Sequence, residues 1–194
     1  ATPLSKPLAS GLCNVFSTLE SNASPAVPPL LAIAAGTHHP TENRLHAISA
    51  IGCIGPSAQS AIPGLRSLSE IDPATFEFAV EQAIVAIGTS ESASIVADAL
   101  RRDPTVLRLR DIGSRREQLR DAGPAVMELL GSDDWDLRLA AARTLGFIQY
   151  REAAGSLIEA LNNVDDWRLA YVAAESLGRL RAERALPSLE IVAS

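Results

Sequence analysis

One short apolar signature recurs from end to end of this 194-residue chain, and the repetition limits what the chain can fold into more than any other feature. The copies read Pro28-x-Leu30-x-x-Ile33, Pro63-x-Leu65-x-x-Leu68, Ile95-x-Ala97-x-x-Leu100, Pro124-x-Val126-x-x-Leu129, Gly155-x-Leu157-x-x-Ala160 and Pro187-x-Leu189-x-x-Val192. They lie about thirty residues apart, a period that belongs to arrays of stacked supersecondary units. A second signature alternates with the first, a stretch of small apolar residues closing on glycine: Ala47 to Gly52, Ala83 to Gly88, Leu107 to Gly113, Ala140 to Gly146 and Val172 to Gly178. Each repeat is therefore predicted to be a helix, a turn and a second helix.

The residues explain both halves. From Leu137 to Gly146 the apolar positions recur at helical spacing, the alanines let helices approach closely, and the glycine is expected to supply a left-handed C-cap. The second helix opens on proline, which suits a first turn because its missing N–H would have had no intrahelical partner. Residues 1–24 carry Leu8, Leu12, Val15, Phe16 and Leu19 at helical spacing without the terminal glycine, as an atypical capping helix would.

The stretches from Asp134 to Gly146 and from Asp166 to Gly178 are in register throughout and resemble the HEAT repeat family, in particular the short bacterial repeats named after phycobilisome lyases. Arg138 matches the family's arginine, as does Arg44 by its spacing from the glycine; Val80 and Ala170 occupy that place elsewhere. The resemblance implies an all-α fold, an α-solenoid of about six helix pairs, forming a single domain over residues 1–194 whose second helices line a concave binding face. It says little about function.

Composition sets the remaining bounds. At 47% apolar and 4% aromatic residues, the core must be built from Ala, Leu, Ile and Val. The net charge of −6 argues against general nucleic-acid binding, which needs a basic footprint. No apolar run is long enough to span a membrane and no signal peptide is visible; the cytoplasm is the expected compartment, with a leader removed before Ala1 as the alternative. Cys13 and Cys53 sit at apolar helical positions in no metal or redox pattern, and are read as buried free thiols.

The rhythm breaks once. The interval from Ile95 to Gly113 is shorter than the other four, so residues 95–120 form a shortened repeat, and this window is rich in arginine within an acidic chain. Arg108, Arg115, Arg116 and Arg120 are the candidates for an anion site; neutralisation by acids such as Asp98, Asp121 and Glu128 is the competing reading.

Reaction chemistry finds little support. His38, His39, Glu42 and His46 share a segment but match no standard metal-ligand spacing, and Glu42 with His46 reads as a helix pair. The pairs Asp133-Asp134 and Asp165-Asp166 precede first helices, where they act as N-caps and complement the helix dipole. Trp135 and Trp167 occupy one site in consecutive repeats, placed to pack across the seam between repeats. No nucleophile motif is present, so no catalytic residue, metal or cofactor is assigned.

Outward positions of the second helices remain. Arg66, Glu70, Asp98, Arg102, Met127, Glu128, Ile158, Glu159 and Asn162 mix both signs with apolar groups, as protein-contacting surfaces do. The sequence thus predicts a non-enzymatic scaffold or adaptor that binds another protein. Two alternatives stand beside it: a chromophore-handling protein resembling phycobilin lyases, distinguished by a bilin-induced absorbance change, and a HEAT-like nucleic-acid binder using the arginine-rich segment.

Overall fold

The computed structural model describes residues 13–16, 18–163 and 165–192; all regular structure among them is helical. Most of the capping helix expected over residues 1–24 lies outside the described residues, although 13–16 and 18–19 are helical. Eleven α-helices follow: α1 Val27–Ala35, α2 Thr41–Ile54, α3 Ile62–Ile71, α4 Pro73–Ile87, α5 Ser90–Arg102, α6 Val106–Ser114, α7 Gly123–Glu128, α8 Trp135–Phe147, α9 Ala154–Asn162, α10 Trp167–Leu180 and α11 Leu186–Val192. The even-numbered helices are the first helices of the repeats, and the odd-numbered ones carry the other signature, which opens on proline in α1, α3, α7 and α11. The fold is all-α, with helix pairs stacked in the manner of an α-solenoid.

Two compact units divide the chain, Ala1–Ser92 and Ala93–Ser194. In the first, α2 packs against α4, while α1 and α3 pack against α2 and α4 respectively. Ile48, Ile51, Ile62, Leu65, Phe76 and Ile87 close its interior. In the second, α8 lies between α6 and α10, and α7 and α9 pack on α8 and α10. Leu109, Ile112, Leu119, Leu145, Ile148 and Leu157 are fully buried there. Apart from Phe76 these interior residues are aliphatic, as the scarcity of aromatic residues requires.

Local chemistry sets the helix boundaries. Asp134 accepts from the amides of Asp136 and Leu137, Asp166 from that of Leu169, Asp72 from that of Thr75 and Thr105 from that of Arg108, so an oxygen satisfies orphan donors at the start of α8, α10, α4 and α6. Prolines occupy the first turn of α1, α3 and α7. A 3-10 segment precedes these helices, at Glu20–Ala26, Gly55–Ala61 and Arg116–Ala122, and shorter ones precede α9 and α11. The first helix of the shortened repeat, α6, has 9 residues against 14 in α2 and 15 in α4.

Two expectations are corrected. Among the signature glycines only Gly88, at φ 65°, is a left-handed cap. Gly52, Gly113, Gly146 and Gly178 lie within their helices, and a residue of positive φ comes three positions later, at Gly55, Arg116, Gln149 and Arg181. Gly146 serves close packing instead: a Cβ there would stand 2.8 Å from Ser176 Cβ and 2.9 Å from its Cα, so α8 and α10 touch backbone to backbone at this point. The second correction concerns the cysteines. Cys13 and Cys53 form a disulfide, Cα to Cα 5.2 Å, joining the helical residues before α1 to the last turn of α2; they are not free thiols.

Candidate functional site

Arg44 and Arg138, each eight residues before its signature glycine, brace the stack. Arg44 donates through Nε to the carbonyl of Ala34 at 2.8 Å, near the end of α1, and its guanidinium lies 4.4 Å from the centre of the Phe76 ring on α4. Arg138 does the same work one unit later, donating to the carbonyls of Ser132 (2.7 Å) and Asp133 (3.1 Å) and pairing with Asp166 at 3.5 Å. Arg44 thus ties α1 to α4, and Arg138 ties the loop after α7 to the start of α10.

The tryptophans separate. Trp135 is partly buried at the seam, where its indole N–H donates to Asp166 Oδ1 at 3.4 Å. Trp167 is 68% exposed, with Tyr171 one turn further along α10 at 62%. Arg168 lies 5.0 Å from the Trp135 ring centre and 5.3 Å from that of Trp167. His38 and His39 pack ring to ring, 4.0 Å apart, beside Gly36, and among the described residues no group of three His, Cys, Asp or Glu side chains is placed to hold a metal ion.

The second-helix band is largely solvent-facing. Arg66 and Glu70 on α3 are exposed; so are Asp98 and Arg102 on α5, Glu128 on α7, and Glu159 and Asn162 on α9, while Met127 and Ile158 are half-buried. Within the second unit, Arg101 joins two successive repeats by reaching Glu128 at 3.3 Å and Asp98 at 3.4 Å. That residue was absent from the expected set; its spacing, one turn beyond Asp98, is the signal that could have revealed it.

The arginine-rich segment divides into paired and unpaired members. Arg108 is neutralised by Asp103, whose backbone carbonyl it also reaches, and Arg120 pairs with Glu152 at 3.0 Å. Arg115 is half-buried; desolvation lowers its pKa, against the opposing charge of Asp111. Arg116, held at φ 50°, projects to the surface and borders a cavity of about 350 Å³ between α6 and α8. Arg110 and Arg143 share this cavity with Val106, Ala140 and Phe147. Sequence reasoning did not combine these residues, although Arg110 and Arg143 each stand three residues before a signature glycine. The signal was one register position, repeated.

With this geometry in view, residues 123–194 match the family model of HEAT repeats. A solved structure, the complex of CpcE and CpcF of phycocyanin lyase from Nostoc sp. PCC7120, is similar at 20% identity with a TM-score of 0.45, covering 95% of this chain and 81% of that chain. No curated protein matches the sequence.

Proposed function

We propose that this protein is a non-enzymatic scaffold that binds another protein through the outward positions of its second helices. The observation that carries the reading is the solvent-facing band on α5, α7 and α9, where carboxylates and an arginine alternate with the half-buried Met127 and Ile158. Apolar groups ringed by charges of both signs suit recognition of a protein surface, in which the apolar contacts supply affinity and the charges select the partner. The pre-stacked helices add to this, because a rigid surface loses little conformational entropy on binding. We place the scaffold in an oxidising compartment rather than in the cytoplasm, because a disulfide such as Cys13–Cys53 persists where thiols are not held reduced.

The test is paired charge reversal. Glu128→Arg with Glu159→Arg is expected to weaken binding of a captured partner while leaving helicity and Tm close to wild type, since both side chains are exposed and the ion pair of Glu128 to Arg101 is a surface one. Arg115→Glu with Arg116→Glu is the control. Loss of binding in the control, with none in the carboxylate pair, would move the interface to the arginine cluster.

A further inference from the structure

We infer that the cavity between α6 and α8 is a binding site for a small organic anion that carries two or more negative charges on an aromatic or branched apolar body. Three arginines, Arg110, Arg116 and Arg143, border it, and none of them pairs with a carboxylate among the described residues. Arg101, Arg108, Arg120, Arg138 and Arg179 in the same unit each have an acidic partner; Arg151, Arg181 and Arg184 form no ion pair among the described residues either, but the hollow they line also holds Glu183. In a chain of net charge −6, three unpaired guanidiniums around one hollow are a local reversal of sign.

The other polar groups of the lining already have partners. Thr144 donates its hydroxyl to the carbonyl of Leu109 at 2.9 Å, and Ser114 donates to that of Asp111 at 2.6 Å. The guanidiniums are therefore the available donors, and their planar forks match carboxylate, sulfonate or phosphate oxygens. Val106, Ala140 and Phe147 supply the apolar wall, and the Phe147 ring is held by Arg179, whose guanidinium lies 4.6 Å from the ring centre. At about 350 Å³ the cavity falls at the small end of ligand sites, near 300 to 1,000 Å³, which suits a body of one or two rings.

The experiment is isothermal titration calorimetry of the intact chain with naphthalene disulfonate, run against naphthalenediol, which keeps the rings but lacks the charges. The disulfonate is expected to bind at least about tenfold more tightly than the diol, and Arg110→Gln with Arg143→Gln is expected to weaken it at least about tenfold, roughly 1.4 kcal/mol. Both arginines are exposed, so circular dichroism and Tm should match wild type. Arg151→Gln with Arg184→Gln, which alters a separate hollow of about 280 Å³ whose lining includes Glu183, should leave the titration unchanged. Equal binding of diol and disulfonate, a loss below about threefold in the Arg110 and Arg143 variant, or an equal loss in the control pair would each overturn the assignment. None of these readouts depends on a protein partner, so the result is separate from the scaffold proposal.

Discussion

Asp166 gathers several contacts at one side chain: it caps α10 through the Leu169 amide, accepts from the Trp135 indole and pairs with Arg138. Desolvation pushes its carboxyl up, but the Leu169 amide, the indole and Arg138 together outweigh this and hold it below its ordinary value of 3.8. A depressed pKa stabilises the fold above the unfolded value, and that contribution is lost as pH falls through the folded one. The stability gap between wild type and Asp166→Asn should therefore be constant near neutrality and narrow below about pH 4, which denaturant titrations at several pH values would show. Leu145, fully buried, and Arg151, exposed, check the register of the core. Leu145→Ala is expected to cost about 2 to 5 kcal/mol and Arg151→Ala under about 0.5 by chemical denaturation. The caps at Asp134 and Asp166 were legible because an acid before an apolar helix has one local use. The further bonds of Asp166 to Trp135 and Arg138 were not, since they arise only when two repeats stack.

At the level of elements, the glycine that closes each first helix has different reasons in different repeats. Gly146 meets Ser176 across the α8–α10 contact, whereas a Cβ at Gly178, also helical, would have nothing within 4 Å. Gly146→Ala should thus destabilise by about 1 to 3 kcal/mol through overpacking, and Gly178→Ala should be neutral or stabilising by up to about 1 kcal/mol, because alanine is the better helix former. Thermal melts of the two variants would separate packing from capping. The expected left-handed caps failed at four of the five glycines because helix continuation costs nothing locally when the next turn can take positive φ. Gly55 does so freely, and Gln149 does so while its side chain bonds to the carbonyls of Gly146 (3.2 Å) and Arg179 (3.0 Å). The disulfide acts on the first unit in the same way that a staple acts on a loop. With its cysteines 40 positions apart, chain entropy gives it about 4 kcal/mol, so Cys13→Ser with Cys53→Ser, or reduction with dithiothreitol, should lower the stability of that unit by about this amount.

For the molecule as a whole, charge decides which large partners are plausible. The chain is acidic at −6, and Arg108 and Arg120 of the arginine-rich segment are already paired with Asp103 and Glu152, which leaves too few cations to track a phosphate backbone. Fluorescence anisotropy with a labelled DNA duplex at physiological ionic strength is expected to show no saturable binding; a steep salt-dependent isotherm would reverse that reading. Periodicity alone determined the helix pairs and, with composition, the aliphatic interior, because the spacing of Leu, Ile, Val and Ala selects a helical face before any tertiary contact forms. Proline placement and acidic caps likewise set the starts of helices from local bonding. What tertiary structure decided was the meeting of residues far apart in sequence: Cys13 with Cys53, Gly146 with Ser176, and Arg110, Arg116 and Arg143 around one cavity. These depend on the rotation and separation of stacked helices, and those follow from the shapes of side chains at the contact, which a repeated pattern does not specify.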